Sequence, residues 1–402
     1  MMQRIERVCV VRSAGDIAPL IIDGFARAFR ALGLQVFVLD FDLFSTDPAR
    51  FQQHLVNLLL WEPELAVAYG FNGLLPTSRG PVFRTQGIPL ALLHYDCPFF
   101  GLAFDDSWLP EFRAHPDWYY HFVWDRTFQQ QLQALGLAHV DHLMLAADTS
   151  RLTPPAATPE RDVAFVGRVH DPAPVQSERL RLLAPEANRL IEQLIEQKLA
   201  HLARPVLDCW ADLWRSGATG IAPDLLNPEA RSVYAAVHAE GSARVRRAVL
   251  EGITAATPDV FGAGWAGTAV RQHPAVDYEH ALPLLYAGTR INLNVTSLQL
   301  EQAVNNRIFD VGAAGGFLLT DYRDDLRLIF PHYREISFGS IPELNEKIDY
   351  FLHHESERSE LAHALQDAIQ ARHTYVHRAC SILERVGGQR GTDTSTTTTS
   401  AV

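Results

Sequence analysis

Polar side chains that could bind a phosphorylated ligand are concentrated between residues 291 and 326. A predicted strand ends within this segment, and a loop leads from it into a predicted helix. The polar residues at the strand end and at the helix start are Asn294, Thr296, Asn305 and Asn306. Backbone N–H groups at a helix start bind phosphate groups, and the helix dipole adds to the attraction. The segment therefore predicts a diphosphate site.

Arg307 and Asp310 follow in the first turns of that helix, three residues apart, and therefore share one of its faces. A carboxylate at this position can accept two hydrogen bonds from the hydroxyl groups of a ribose. Gly315 and Gly316 then allow a tight return into the next strand. The same spacing fits an ordinary strand–helix unit in which Arg307 and Asp310 form a surface ion pair. The residues alone leave both interpretations open.

A second candidate is the glycine motif formed by Gly262, Gly264 and Gly267, which has the spacing G-x-G-x-x-G. A dinucleotide-binding fingerprint needs a long helix directly after the motif and an acidic residue about 20 positions later. Here Pro274 stops any long helix, and the acidic residues that follow come too early. The motif therefore predicts a turn beside a ligand cleft and disfavours an oxidoreductase.

Two strand ends in the N-terminal half carry further candidates. His94 and Asp96 follow one predicted strand and could bind a metal or act as a base, or they could simply line a loop. Asp16 follows the first strand and could be a base or the N-cap of the helix predicted at Pro19–Leu32. No H-E-x-x-H, G-x-S-x-G or P-loop motif is present, so the sequence supports neither a hydrolase nor a kinase.

These candidates lie on a chain in which predicted strands and helices alternate. Such alternation is typical of parallel sheets covered on both faces, and a Pro-rich linker at Thr153–Glu160 interrupts it. We predict an α/β fold of two doubly wound, Rossmann-like domains that face a cleft. The parts are an N-terminal domain (1–153), a C-terminal domain (161–350) with a helical insertion (about 177–256), terminal helices (356–386) and a disordered tail (387–402).

The composition limits the class of protein. The 402 residues carry a net charge of −12, which argues against nucleic acid or an anionic membrane as the main partner. No apolar run approaches the ~18 residues of a transmembrane helix, so no integral membrane segment is expected. The four cysteines are scattered and form no C-x-x-C pair. This pattern excludes a disulfide scaffold or a cysteine zinc site and predicts a cytoplasmic protein.

The segment from Asn305 to Tyr322 resembles the sugar-nucleotide site of the spore-maturation-protein-B-like (CgeB-like) glycosyltransferases. That family's pattern is close to N-x-R-x-F-[DE]-x-x-A-x-G-G-F-L-L-T-D-Y, and the chain matches it with Arg307, Phe309, Asp310, Ala313, Gly315, Gly316 and the run FLLTDY. The stretch DVAFVGRVH resembles the first strand of the family's C-terminal domain, and HYDCPFF resembles its D-D-P-F loop. With further matches near residue 140 and in the terminal helix, the resemblance covers most of the chain.

The resemblance implies a glycosyltransferase of the two-domain GT-B type. A nucleoside-diphosphate sugar would be bound mainly by the C-terminal domain, with neither metal nor cofactor. Asp310 would hold the ribose, while Arg168 and Arg307 would neutralise the diphosphate. The further donor-side residues are Gly167, Gly262, Gly264, Trp265, Asn294, Thr296, Gln302, Asn305 and Asn306. The candidate bases for an inverting reaction are Asp16, His94 and Asp96.

Two features depart from related retaining enzymes, in which two glutamates separated by seven residues contact the sugar and the ribose. This chain has Gln302 and Asp310 at that spacing, and no lysine follows Arg168 to complete a diphosphate clamp. A sugar-nucleotide epimerase or hydrolase, or a non-catalytic nucleotide-sugar-binding protein, therefore stays open. The acceptor is a protein, a polysaccharide or a lipid-linked glycan. The aromatic loop at Phe99–Pro116 could stack on sugars, dock a peptide, or pack in the core or in a homodimer.

Overall fold

The computed structural model describes residues 5–15, 17–102, 108–148 and 158–393. Its contacts divide the chain into two units, Met1–Met144 with Thr374–Val402 and Leu145–His373. Asp16 and residues 153–157 of the expected linker lie outside the described residues. No helix in the described part of the chain is long and apolar enough to cross a membrane.

In the described part of the first unit, parallel strands form one sheet in the order β2-β1-β3-β4-β5-β6. The strands are β1 (Arg7–Arg12), β2 (Gln35–Asp40), β3 (Leu65–Tyr69), β4 (Leu90–His94), β5 (Tyr119–Val123) and β6 (Val140–His142). The inner strands β3, β4 and β5 are almost continuously buried. Helices on both faces of a parallel sheet account for such runs, since neither face of these strands contacts water.

Helices connect these strands along the chain. They are α1 (Ala18–Ala31), α2 (Leu43–Thr46), α3 (Pro48–Trp61), α4 (Val82–Thr85), α5 (Pro98–Leu102), α6 (Trp108–Ala114) and α7 (Arg126–Ala134). The apolar run at Gln35–Leu43 predicts one strand from the sequence, but β2 ends at Asp40 and the chain turns into α2. The reason is aromatic packing: Phe44 of α2 stacks on Phe41 with ring centroids 5.6 Å apart.

The second unit contains another parallel sheet, with the order β12-β11-β10-β7-β8-β9. The strands are β7 (Arg161–Val166), β8 (Asp259–Phe261), β9 (Arg271–His273), β10 (Thr289–Asn294), β11 (Leu318–Asp321) and β12 (Ser337–Phe338). The chain continues outwards from β7 through β8 and β9, and outwards from β10 through β11 and β12. The direction of winding therefore changes between β7 and β10. Ligands of doubly wound sheets bind outside the carboxyl ends of the strands at such a switch point.

Between β7 and β8 the chain forms the predicted helical insertion. It contains α8 (Pro172–Leu182), α9 (Pro185–Ala200), α10 (Val206–Arg215), α11 (Pro228–Ala236) and α12 (Ser242–Glu251), and a π-helical turn at Val237–Gly241 joins the last two. The insertion therefore begins and ends about five residues before the predicted bounds. The remaining helices are α13 (Leu282–Ala287), α14 (Asn306–Ala313), α15 (Leu326–Ile329), α16 (Ile341–His353) and α17 (Glu355–Arg372).

The last helix, α18 (Tyr375–Asp393), belongs to the first unit, where it contacts α1. The ring of Tyr375 packs edge-on against Phe25 of α1, with centroids 5.0 Å apart. The sequence grouped this segment with α17 as terminal helices, but α17 belongs to the second unit. Residues 387–393 are helical rather than part of a disordered tail, and residues 394–402 lie outside the described part.

Candidate functional site

Asn294 holds together the loops at the carboxyl end of β10. Its side chain is fully buried. Its Nδ2 donates to Thr320 Oγ1 of the neighbouring strand over 2.9 Å, and its Oδ1 accepts from Asn305 Nδ2 over 2.9 Å and from the Arg307 guanidinium. Because its polar atoms are engaged within the protein, Asn294 positions the start of α14 rather than facing a ligand.

Thr296 is held in the same way by the end of β11. Its backbone N and its Oγ1 both donate to Asp321 Oδ1, over 2.8 and 2.7 Å. Asp321 in turn forms a buried ion pair with Arg323 at 3.0 Å. The polar residues predicted at this strand end therefore fasten the loop between β10 and α14.

Arg307 lies in the first turn of α14 and reaches back to β7. Its guanidinium donates to Asn294 and to the backbone carbonyl of Val166, and it lies over the ring of Phe165 at 5.0 Å. Its Nε is buried and has no hydrogen-bond partner among the described residues. The charge of Arg307 is thus held rigidly at the switch point between β7 and β10.

Asp310 lies one turn further along α14. Its Oδ2 accepts hydrogen bonds from the Tyr278 hydroxyl at 2.8 Å and from Asn306 Nδ2 at 3.0 Å. Burial raises the pKa of Asp310 to about 6, although these two hydrogen bonds and the charge of Arg307 act in the opposite direction. Within the described part of the chain, Asp310 and Arg307 form no direct ion pair, so the surface ion pair considered from the sequence is wrong.

The helical insertion supplies two further arginines, which the sequence analysis did not identify. On α12, Arg246 donates to the carbonyls of Val295 at 3.3 Å and of Arg168 at 3.4 Å, and Arg247 donates to that of Gly264 at 2.7 Å. No ion pair joins either arginine to a carboxylate of the described residues. Burial lowers the pKa of Arg246 to about 10, and the nearby charge of Arg307 adds to the effect.

Arg246 and Arg307 therefore concentrate positive charge at one sheet edge without a paired carboxylate. The available sequence signal was the run RVRRA (244–248), which places adjacent arginines on a helix with an apolar face. Whether these arginines reach the candidate site depends on where α12 packs, which the local sequence pattern does not predict.

The glycine motif brings two loops into direct contact. A Cβ atom at Gly264 would lie 1.7 Å from the carbonyl oxygen of Val169, and one at Gly262 would lie 2.6 Å from that of Gly167. Both glycines have positive φ angles, 91° and 143°. The residues after the motif lead into the short strand β9, not into the long helix of a dinucleotide-binding fingerprint.

Trp265 has a packing position in this arrangement. Its side chain is 1% exposed, its Nε1 donates to Gly167 O over 2.9 Å, and it packs edge-on against Phe165. This position differs from the ligand-lining role expected from the sequence. Arg168, by contrast, lies exposed on the loop after β7.

Gln302 lies on the loop before α14, where its carbonyl accepts from the backbone N of Asp325 over 3.0 Å. The preceding residue, Glu301, is a buried carboxylate that accepts from the Tyr234 hydroxyl at 2.6 Å and from the backbone N of Leu207 at 3.2 Å. Glu301 is thus committed to joining the loop to the insertion.

In the first unit the structure separates His94 from Asp96. His94 is 2% exposed, and its Nε2 lies 3.1 Å from Nδ1 of the equally buried His121. Burial lowers the pKa of His94 to about 3. His94 is therefore a neutral core residue, unlike the catalytic base expected from the sequence. Asp96 is exposed at the end of β4 and accepts a hydrogen bond from the Tyr69 hydroxyl at 2.7 Å. The third candidate, Asp16, lies outside the described residues.

Metal ligands are not grouped in the described part of the chain. No three His, Cys, Asp or Glu side chains among those residues are placed so that they could bind one metal ion.

Comparison with known proteins relates these observations to sugar transfer. Residues 243–384 match a family model described as glycosyl transferase-like. The structure resembles sucrose-phosphate synthase from Thermosynechococcus elongatus with a TM-score of 0.53 and 10% identity, over 97% of this chain and 99% of the other. It also resembles Anabaena HepE in complex with UDP and glucose, with a TM-score of 0.50 and 12% identity, over 95% and 100%.

No curated protein matches the chain by sequence. The solved structures establish only the fold. Their sequence identities to this chain are too low to support a conclusion about function. The chain thus has the two-unit α/β fold of GT-B glycosyltransferases. Residues 243–384, which include all of α14 and α12 except its first residue, are similar to a glycosyl transferase-like domain.

Proposed function

We propose that the protein is a glycosyltransferase that takes a sugar from a nucleoside diphosphate and passes it to a protein or glycan acceptor. We take UDP as the nucleotide, because Anabaena HepE, which the structure resembles, was solved in complex with UDP and glucose. The observation that carries the proposal is the pair Arg246 and Arg307, which form no ion pair with a carboxylate among the described residues and lie at the switch point near Asp310. Two part-buried arginines at one sheet edge, without an ion-pair partner in the described part of the chain, fit a bound diphosphate.

The diphosphate would be bound by these arginines and by the first turn of α14. The cap residue of that helix, Asn305, forms no side-chain hydrogen bond to the helix N–H groups. Those groups can therefore donate to phosphate oxygens, where the helix dipole favours negative charge. Arg246 takes the place of the lysine that the sequence lacks, and the exposed Arg168 can approach the same group.

The ribose would be bound by Asp310. Its Oδ2 is occupied by Tyr278 and Asn306, so Oδ1 is the atom that accepts from a ribose hydroxyl. The similarity of Asn305–Tyr322 to the CgeB-like pattern supports placing the chain near that group of glycosyltransferases.

In the reaction, the arginines would stabilise the negative charge that develops on the leaving diphosphate. We expect no metal to be needed, since these cations supply the positive charge. Among the described residues, Asp96, which accepts a hydrogen bond from the Tyr69 hydroxyl, is the candidate for the base that activates the acceptor. We place the reaction in the cytoplasm, where the four thiols stay reduced.

The test is a panel of nucleoside-diphosphate sugars incubated with the full chain and with glycan and protein acceptors, in excess EDTA. We expect one donor to release its nucleoside diphosphate and to label an acceptor, and chelation to leave the rate unchanged. Loss of turnover in EDTA that Mg²⁺ or Mn²⁺ restores would contradict the arginine-based account. Failure of every donor to bind would contradict the function.

A non-catalytic nucleotide-sugar-binding protein is the second candidate. It is favoured by the neutral Gln302 and by Glu301, which is already bound to Tyr234 and Leu207. Tight donor binding without release of nucleoside diphosphate, with or without acceptor, would support it. A sugar-nucleotide epimerase or hydrolase would instead convert the donor without any acceptor, so product analysis of the same reactions separates the three activities.

A further inference from the structure

A cavity of about 420 Å³ lies in the second unit at the carboxyl ends of β11 and β12. Tyr322, which directly follows β11, and Gly339, which directly follows β12, form part of its wall. The proposed diphosphate site lies instead at the ends of β7 and β10, and none of its residues lines this cavity. The volume is within the range of small-molecule sites.

Two aromatic rings and a guanidinium form one wall of the cavity. The rings of Tyr322 and Tyr333 lie 6.0 Å apart at 42°. The guanidinium of Arg334 lies over the Tyr333 ring at 5.6 Å, and its Nε donates to the Tyr333 hydroxyl at 3.1 Å. Tyrosine faces of this kind suit the C–H face of a pyranose, because they combine apolar area with a polar tip.

The wall offers two hydrogen-bond donors, Tyr333 and Arg334, whereas the Tyr322 hydroxyl already donates to Asp324 Oδ1 over 3.2 Å. The Tyr333 hydroxyl accepts from Arg334 and keeps its own proton to donate. Arg334 is exposed and forms no ion pair with a carboxylate in the described part of the chain. The charge of Glu343 is matched by Lys347 at 3.1 Å, and one of its oxygens accepts from the backbone N of Gly339 at 2.7 Å. Among the described residues that line the cavity, Arg334 is therefore the charged group without an ion-pair partner, and its charge is positive.

We propose that this cavity binds the ring of an anionic sugar, one that carries a carboxylate or a phosphate group. The ring would lie against Tyr322 and Tyr333. The planar fork of Arg334 would bind the anionic group through two parallel hydrogen bonds, for which a guanidinium is better suited than an ammonium. The site is separate from the donor site, and its occupancy does not depend on the proposed transferase activity.

The experiment is calorimetric titration of the full chain with glucuronate, glucose 6-phosphate, glucose and inorganic phosphate. We expect glucuronate or glucose 6-phosphate to bind at least tenfold more tightly than glucose and inorganic phosphate, and the better ligand identifies the anionic group. Arg334→Met and Tyr333→Ala should each weaken that ligand at least tenfold. The matched control is Arg215→Met, which removes an exposed arginine of α10 paired with Asp212 and should leave the affinity unchanged.

Four results would overturn the proposal: no binding of either anionic sugar, equal binding of glucose, equal binding of inorganic phosphate, or unchanged affinity in Arg334→Met. Tyr333→Phe keeps the ring and serves as the second variant if Tyr333→Ala melts at a lower temperature than the wild type. It should retain more affinity than Arg334→Met. UDP titrated into the same variants should bind as in the wild type, which keeps this test independent of the donor site.

Discussion

Asp310 carries its negative charge at an energetic cost. Its pKa is raised by burial from the ordinary value of 3.8 to about 6. The folded protein therefore binds more protons than the unfolded chain between these values, so stability falls as the pH rises from 3.8 to about 6. Above about pH 6, Asp310 is ionised in both the folded and the unfolded chain, and the loss of stability is complete. A charge held in this way is typical of a residue selected for binding rather than for stability.

The first prediction follows for Asp310→Asn. At pH 8 we expect this variant to melt at the same temperature as the wild type or higher, and we expect the advantage to disappear near pH 4. Its affinity for UDP should fall tenfold to a hundredfold, because a charge-assisted hydrogen bond contributes about 1.5–3 kcal/mol. Calorimetry measures both quantities, with the exposed Asp367→Asn as control. A lower melting temperature with unchanged UDP affinity would show that Asp310 is structural.

The second prediction concerns Arg246, which should contact the diphosphate as an unpaired charge. We expect Arg246→Met to weaken UDP binding by roughly tenfold or more, since about 1.5–3 kcal/mol of charge-assisted contact is lost. The affinity should also depend less on salt than in the wild type, because salt screens this attraction. Titrations at two ionic strengths test this, with Arg215→Met as control. The same affinity and salt dependence as the wild type would exclude Arg246 from the site.

At the scale of elements, the loops after β7 and β8 are joined by backbone contact. Gly167 N donates to Phe261 O over 2.9 Å, and Val169 N donates to Ala263 O over 3.0 Å. The carbonyl of Val169 occupies the place where a side chain at Gly264 would begin. The position of Arg168 therefore depends on the glycine motif, which the short strand β9 follows rather than a long helix.

The third prediction compares two glycines of this motif. Gly264 and Gly267 both have positive φ, at 91° and 79°, but a Cβ at Gly267 would meet nothing within 4 Å. Gly267→Ala should therefore cost only the ~1–2 kcal/mol of a left-handed alanine. Gly264→Ala should cost clearly more and should also weaken UDP binding, because the loops must separate. Chemical denaturation and UDP titration check this. Equal losses in the two variants would contradict the close-approach argument.

For the whole molecule, buried ionisable groups affect stability in both units. In the first unit, burial lowers the pKa of His94 to about 3, and it lowers the pKa of His121 well below its ordinary value. In the second, burial lowers the pKa of Lys198 to about 7. Burial disfavours the protonated form of each group, so the unfolded chain binds more protons and stability falls as the pH decreases through these ranges.

The fourth prediction is an acid-sensitive first unit. As the pH falls from the ordinary histidine value of 6.5 towards 3, each buried histidine should cost on the order of 1 kcal/mol per pH unit. The double variant His94→Leu/His121→Leu should lose less stability over this range than the wild type. Denaturation at pH 7, 5.5 and 4.5 measures the slopes. Parallel slopes for the two proteins would rule out the pair as the acid-sensitive element.

The sequence by itself determined the alternation of strands and helices and the unit from β10 to β11. Asn305 and Asn306 were predicted to lie at the start of a helix, and α14 begins at Asn306 with Asn305 as its cap residue. The reason is local: apolar periodicity, a polar cap position and a glycine return all lie within about 30 residues. The helical repeat alone predicts that Arg307 and Asp310, three residues apart, share one face of α14.

The tertiary structure decided what these residues contact. Arg246 reaches the carbonyl of Arg168 across 78 positions of sequence, and Arg307 reaches that of Val166 across 141. His94 lies at a strand end, as predicted, but packing against His121 removes it from water. No local pattern encodes such pairings, because they depend on which helices and strands pack together. Propensity places a side chain on an element, but its charge state and its partner depend on the packing around it.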